Sequence, residues 1–252
     1  MYAKSMCARW CVTLLAAVVG LSAATPGVGR AQSPAKLTPP EILAAAAEKG
    51  KALLAALPSY SYYAETTIET VSQADTISGK YYRFSQISFG GDGRRQERVI
   101  DNASTVPEDV RIGTNTADNL TRVYQFTLTP ESLNVYEFNY VGRERVDELS
   151  AYVFDVRPKV KAPDADKGGE RYWQGRLWVD EQDLCVVKVE GRVLTEPGAH
   201  RAPKFETYYQ NVDQFWFPAY VTADDRVRSG KYWTRVVVKL RFTSYRREAK
   251  KG

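Results

Sequence analysis

Residues 175–193 read GRLWVDEQDLCVVKVEGRV, and the interpretation of this stretch decides the fold. The acids Asp180, Glu181 and Asp183 stand close to Cys185, a composition that would suit a catalytic or metal site. On both sides, however, apolar residues alternate with polar ones, which is the period of a β-strand. Asp and other polar residues are favoured where a chain reverses. We therefore predict a β-hairpin with the acids at its tip and Cys185 on its apolar face.

The rest of the chain offers little for catalysis. His200 is the single histidine and lies in the loop EPGAHRAPK, so a nucleophilic triad or a zinc site would have to use it. The acids of DADKGGE, residues 164–170, lack the spacing of a calcium-binding loop. The glycines of GGDG, residues 90–93, match no phosphate-binding motif and indicate a turn between strands. We predict no catalytic residue, no metal and no cofactor, and therefore not an enzyme.

The first residues have the pattern of an export signal. Lys4 and Arg9 precede an apolar run at 12–24, and small residues then flank a cleavage position after Ala31. A retained signal anchor is the competing interpretation of the same run. We predict a signal peptide at 1–31, a linker at 32–40, one domain at 41–246 and a basic tail at 247–252. Such a signal predicts export across the membrane.

Removal of the signal changes the charge balance. Lys4, Arg9 and Arg30 would leave, so 35 bases fall to 32 against 30 acids, and the net charge falls from +5 to +2. This small excess gives no support to nucleic-acid binding. The basic tail is either a solvated end or a point of peripheral contact with an anionic membrane. Cys185 would be the only cysteine left, so no disulfide within the chain is expected, and we expect a monomer.

Hydrophobic periodicity predicts one helix followed by many strands. The helix covers 40–57, with a proline in its first turn and Pro58 after its end. Strands are predicted at 59–71, at 152–159 and in the last alternating run around 235–243. The segment 123–142 suggests two further strands around a turn at Pro130. Roughly nine to eleven sequential strands favour a mainly β, antiparallel meander.

Many strands carry apolar residues on both faces, and the chain is rich in Tyr and Trp. Such a sheet must be covered on each side or must line a cavity for an apolar ligand. Composition favours core packing under the helix but leaves the cavity open as the alternative.

The order of these motifs resembles the LolA-like superfamily. The strand YVFDVRPK (152–159), the hairpin 175–193, the strand WFPAYV (216–221) and a closing alternating strand follow one another here as they do in that family. The family includes periplasmic outer-membrane lipoprotein-sorting carriers, the outer-membrane lipoprotein receptor and RseB-type stress sensors. The resemblance implies an unclosed, strongly curved antiparallel β-barrel with the N-terminal helix covering the concave face.

The resemblance also implies a function. A non-catalytic periplasmic carrier would bind lipoprotein acyl chains or other lipids, with affinity from apolar burial. The alternative is an envelope-stress sensor of RseB type that binds a protein partner. The alternating strand residues are the candidate cavity lining, and an error of one residue in strand phase would send them to the other face. They are Tyr152, Phe154, Val156, Leu177, Val179, Val187, Val189, Val236, Val238, Leu240 and Phe242.

Overall fold

The computed structural model describes residues 37–108, 110, 112, 114–159, 172–194, 203–229 and 232–248. The predicted signal peptide, most of the linker, the loop 164–170, His200 and the end of the basic tail lie outside these ranges.

Three helices are described: α1 (Pro39–Ala56), α2 (Thr114–Thr121) and α3 (Ser132–Val135). A capping box begins helix α1, in which the Glu41 carboxylate accepts a hydrogen bond of 2.7 Å from the backbone N–H of Thr38. Pro39 stands at its first position, and Pro58 follows its end. The predicted helix is thus confirmed, and it starts and ends one residue earlier than predicted. No helix within the described ranges is long and apolar enough to span a membrane.

The ten strands form one antiparallel sheet in the order β3-β2-β1-β10-β9-β8-β7-β6-β5-β4. Since β3 and β4 are the two ends of this order, the sheet is not closed, and the predicted mainly β, unclosed fold is confirmed. The strands are β1 (Tyr60–Val71), β2 (Ile77–Phe89), β3 (Arg95–Ser104), β4 (Tyr136–Val146), β5 (Leu149–Pro158), β6 (Trp173–Asp180), β7 (Val186–Val193), β8 (Lys204–Val212), β9 (Phe215–Ser229) and β10 (Tyr232–Arg247).

The sheet curls around a single core on the face that α1 covers. Every strand except β3 contributes buried side chains to one hydrophobic cluster, together with Ile42, Leu43, Ala46 and Ala47 of α1. Register shifts in six of the nine strand pairs mark β-bulges, which bend strands and increase their twist. The covered face is therefore the inner, concave one.

The prediction of two strands in 123–142 is wrong for its first half. Only β4 belongs to the sheet, whereas residues 123–128, here called the crossing segment, run over the inner face. Its alternation has another cause, because Tyr124 and Leu128 are buried in the core without strand pairing. An alternating sequence can therefore bury apolar side chains against a sheet without itself pairing with a strand.

Candidate functional site

The stretch 175–193 is a hairpin, as predicted. Strands β6 and β7 pair directly, and the carboxylate of Asp180 accepts hydrogen bonds from the backbone N–H groups of Gln182 (2.9 Å) and Asp183 (2.7 Å). This bonding is the usual role of Asp in a turn. Cys185 is buried, and burial raises the pKa of its thiol to about 11. Asp180 therefore shapes the turn, whereas Glu181 forms an ion pair with Arg143 and Asp183 accepts a hydrogen bond from the indole N–H of Trp216. The thiol of Cys185 is protonated at neutral pH.

Ten of the eleven predicted lining residues share the inner core. All ten are buried within the cluster beneath α1 and the crossing segment: Tyr152, Phe154, Val156, Leu177, Val179, Val189, Val236, Val238, Leu240 and Phe242. These ten side chains come from β5, β6, β7 and β10.

Val187 is the exception, and its predicted placement on the inner face is wrong. Trp178 pairs with Lys188 and Val179 pairs with Val186, so Val187 is an extra residue in β7. The extra residue reverses the alternation, because a β-bulge sets two residues against one. Val187 lies instead in a small cluster on the outer face with Val153 and Trp178.

A cavity of about 240 Å³ opens between α1, the crossing segment and one end of the sheet. None of the eleven predicted residues lines it, because ten are packed into the inner core and Val187 lies on the outer face. The lining residues come from four separate parts of the chain: Ala46, Lys49, Gly50, Ala52, Leu53, Phe126, Thr127, Leu128, Cys185, Val186, Tyr209, Gln214, Phe215 and Trp216.

Gly50 explains how α1 comes so close to the crossing segment. A Cβ at this position would overlap the carbonyl oxygen of Leu128 and lie 2.9 Å from its carbonyl carbon. Glycine is costly inside a helix, so its presence indicates a packing requirement. The sequence signal was this glycine within an otherwise strong helix, but its partner could not be found from the sequence.

The crossing segment is anchored by side chains of β8. The hydroxyl of Thr207 donates to the carbonyl oxygen of Tyr124 at 2.6 Å, and the hydroxyl of Tyr209 donates to that of Phe126. Burial raises the pKa of Tyr209, so this hydroxyl keeps its proton. The ring of Phe126 meets the buried Trp173 edge-on at 5.0 Å between centroids. The cavity wall on this side is therefore fixed by hydrogen bonds to the main chain.

The cavity has an apolar interior and a polar mouth. Ala46, Leu53, Leu128 and Cys185 are buried, whereas Lys49 and Gln214 are exposed. Lys49 lies close enough to Cys185 that its positive charge partly opposes the rise in the pKa of the thiol. This arrangement suits an apolar group placed inward and a polar or negatively charged group at the surface.

Ion pairs of a buried arginine hold α2 on the inner face. The buried guanidinium of Arg83 on β2 forms ion pairs with Asp118 of α2 at 2.5 Å and with Glu97 of β3 at 3.3 Å. Within the described ranges, no three His, Cys, Asp or Glu side chains are grouped so that they could hold a metal ion.

No family model and no curated protein sequence matches the chain. Among solved structures, it is similar to a LolA superfamily protein from Nitrosomonas europaea, with 14% identity, a TM-score of 0.36, and coverage of 85% of this chain and 95% of that one. It is also similar to a candidate outer-membrane lipoprotein-sorting protein domain from Vibrio parahaemolyticus, with 12% identity, a TM-score of 0.40, and coverage of 83% and 93%.

A third match is the complex of MucA and MucB from Pseudomonas aeruginosa, with 12% identity, a TM-score of 0.27, and coverage of 81% of this chain and 99% of that one. The family that the sequence motifs resemble is thus represented among the matching solved structures. Because the identities are 14% or lower and the TM-scores are 0.40 or lower, nothing further is concluded from these matches, and the function has to be inferred from the geometry of this chain.

Proposed function

We propose that the protein is a non-catalytic binding or carrier module of the periplasm that holds an acyl chain of a lipid or lipoprotein. The observation that carries this proposal is the cavity of about 240 Å³ between α1, the crossing segment and the hairpin turns. Its inner wall is apolar, and its mouth is exposed at Lys49 and Gln214.

Size and chemistry favour part of an acyl chain as the occupant. A volume of about 240 Å³ is slightly below the range of roughly 300–1,000 Å³ typical of pockets that enclose a whole small molecule. A chain lying inward from the mouth would bury methylene groups against Leu53, Leu128 and Phe126. Each buried methylene contributes about 0.8 kcal/mol, or about a fourfold gain in affinity. Affinity is therefore expected to rise with chain length until the cavity is filled.

The charge at the mouth favours an acyl chain with an anionic head. Lys49 is exposed on α1, and no ion pair involves it among the described side chains. A carboxylate or phosphate at the mouth would gain an opposite charge without burial of either group. Such an exposed pair adds little affinity, about 0.2–1 kcal/mol, so apolar burial dominates.

A pair of matched variants tests the proposal. Ala52 lines the mouth of the cavity, whereas Ala55 lies on the same helix and does not line it, and both are exposed. In a titration with a fluorescent fatty-acid probe, Ala52→Trp is expected to weaken binding at least tenfold, or by about 1.4 kcal/mol. Ala55→Trp should bind as the wild type does. Equal binding by the two variants, or no binding by the wild type, would refute the proposal.

The alternative function, binding of an envelope protein, is favoured by a different feature. Strand β3 is an edge of the sheet and is exposed along nearly its whole length, including Val99 and Ile100. An exposed edge is a site where a partner can add a strand. Pull-down from envelope extracts should then capture a protein that survives lipid removal and that is lost in Val99→Lys. Capture that depends on added lipid would favour the carrier.

A further inference from the structure

The β9–β10 hairpin extends beyond the strands on either side of it. Strand β1 ends at Val71, which pairs with Arg235, and β8 begins at Lys204, which pairs with Asp224. Among the described residues, those beyond Asp224 and Arg235 pair only within the hairpin. This projecting ribbon, residues 225–229 and 232–234, reaches roughly 10 Å past its neighbours at about 3.4 Å per residue.

Large apolar side chains are unusually exposed at this end of the sheet. Tyr232 is 79% exposed and Ile77 is 64% exposed, the two highest values among the large apolar side chains described. Trp233 is 48% exposed and follows Tyr232 directly. Ile77 is near them because Val71 pairs with both Ile77 and Arg235. Exposed Trp and Tyr at the end of a rigid element are typical of contacts with the membrane–water interface.

Positive charge surrounds the base of the ribbon. The guanidinium of Arg226 lies over the ring of Trp233, 4.7 Å from its centroid. Arg235 is paired with Asp224 at 2.9 Å and with Asp75 at 2.6 Å. The strand register places Lys204 beside Asp224 and Arg192 beside Lys204, and both side chains are exposed. With Asp225 of the ribbon counted as well, four bases against three acids leave a local charge of +1, and the exposed bases favour an anionic surface.

The ribbon is firmly held from the inner side. Val227 is buried in the main core, whereas Trp233 lies on the outer face, opposite in phase to the buried Val236. Two-stranded hairpins are only marginally stable alone, so this anchoring keeps the aromatic pair in position. Because neighbouring strand residues point to opposite faces, Tyr232 projects from the other side of the ribbon, and Arg226 lies beside Trp233 alone. A rigid ribbon that enters end-on would place both aromatic rings at the level of the lipid headgroups.

We propose that this end of the sheet docks on an anionic membrane surface, with Tyr232 and Trp233 at the headgroup level and Arg226 among the phosphates. The acyl-chain cavity begins at the other end of β9, at Phe215, about 45 Å away along the strand. The docking surface is thus separate from the cavity, and the two proposals can fail independently.

The test is cosedimentation of the protein, purified from the cell envelope, with lipid vesicles. One vesicle type contains equal parts of phosphatidylglycerol and phosphatidylethanolamine, and the other contains phosphatidylcholine alone. The wild type should bind the anionic vesicles more tightly. The double variant Tyr232→Ser/Trp233→Ser should lose at least about tenfold in affinity, because apolar burial is removed. Arg226→Gln should lose about fivefold on the anionic vesicles only.

Two controls separate docking from folding and from acyl-chain binding. Tyr140→Ser removes an aromatic side chain of comparable exposure on the edge strand β4 and should leave vesicle binding unchanged. Ala52→Trp should also bind vesicles as the wild type does. Tryptophan emission should shift to shorter wavelength when the wild type meets anionic vesicles, and Trp233→Phe should reduce that shift.

Three outcomes would overturn the docking proposal. The double variant could bind vesicles as tightly as the wild type does. The wild type could bind both vesicle types equally, or it could bind neither. The wild type could instead self-associate without binding vesicles, and the double variant could lose this self-association. The aromatic side chains would then belong to a protein contact, and the membrane assignment would be wrong.

Discussion

Replacing Gly50 with alanine sets two physical effects of opposite sign against each other. Helix propensity alone predicts a gain, because alanine is about 0.8–1.0 kcal/mol better than glycine inside a helix. Packing predicts a loss, because the new Cβ would lie 2.9 Å from the carbonyl carbon of Leu128 and still closer to its oxygen. Ordinary contact begins at 3.4 Å, so the carbonyl carbon alone requires a shift of 0.5 Å, and the nearer carbonyl oxygen requires α1 and the crossing segment to separate by considerably more.

The expected result is a net loss of stability. Overpacking in a core costs about 1–3 kcal/mol, and the upper part of this range applies because the obstacle is main chain. After the gain in propensity, Gly50→Ala should lower the free energy of unfolding by about 2 kcal/mol. For a domain of this size, that corresponds to a fall in the melting temperature of about 4–8 °C. The fluorescent fatty-acid probe should also bind more weakly, because the wall of the cavity moves.

Urea denaturation measures the effect, and Ala44→Gly on the exposed side of α1 calibrates propensity in the same helix. That control should cost about 1 kcal/mol with unchanged probe binding. If Gly50→Ala were as stable as the wild type or more stable, propensity would dominate. The short distance between Gly50 of α1 and Leu128 of the crossing segment would then be contradicted.

Further predictions concern the core and the thiol. Leu177→Ala removes a fully buried side chain and should lower the free energy of unfolding by about 2–5 kcal/mol, measured by urea denaturation; a loss under about 1 kcal/mol would mean that this part of the core is loosely packed. Cys185 should react slowly with iodoacetamide near neutral pH, at a rate that rises about tenfold per pH unit until its pKa of about 11. A bound fatty acid should slow that reaction further, because Cys185 lines the cavity; an unchanged rate would place the ligand elsewhere.

The parts of the fold that the sequence predicts are those in which local pattern and tertiary contact agree. The helix α1 and the closing strand β10 each bury one side of a regular period, and the hairpin 175–193 has its polar turn between two apolar strands. The crossing segment has the same alternation but lies across the sheet, so periodicity alone misassigned it. Val187 was misplaced because a single extra residue in β7 reverses the phase, and no local signal marks that bulge.

The residues that line the cavity could not be predicted from the sequence, for a related reason. Its lining combines residues of α1, the crossing segment, the start of β7 and the turn between β8 and β9. None of these parts has a motif that identifies the others as its neighbours. The alternating strand residues were the natural candidates, and they proved to be the packed core beside the cavity.

The most direct test of an acyl-chain carrier is mass spectrometry of lipid extracted from the protein after purification from the cell envelope. The wild type and Ala55→Trp should each carry an acyl-chain lipid in an amount approaching one per chain. Ala52→Trp should carry far less, because its indole ring would fill the mouth of the cavity. Equal lipid content in the two variants, or a wild type without lipid, would contradict the account.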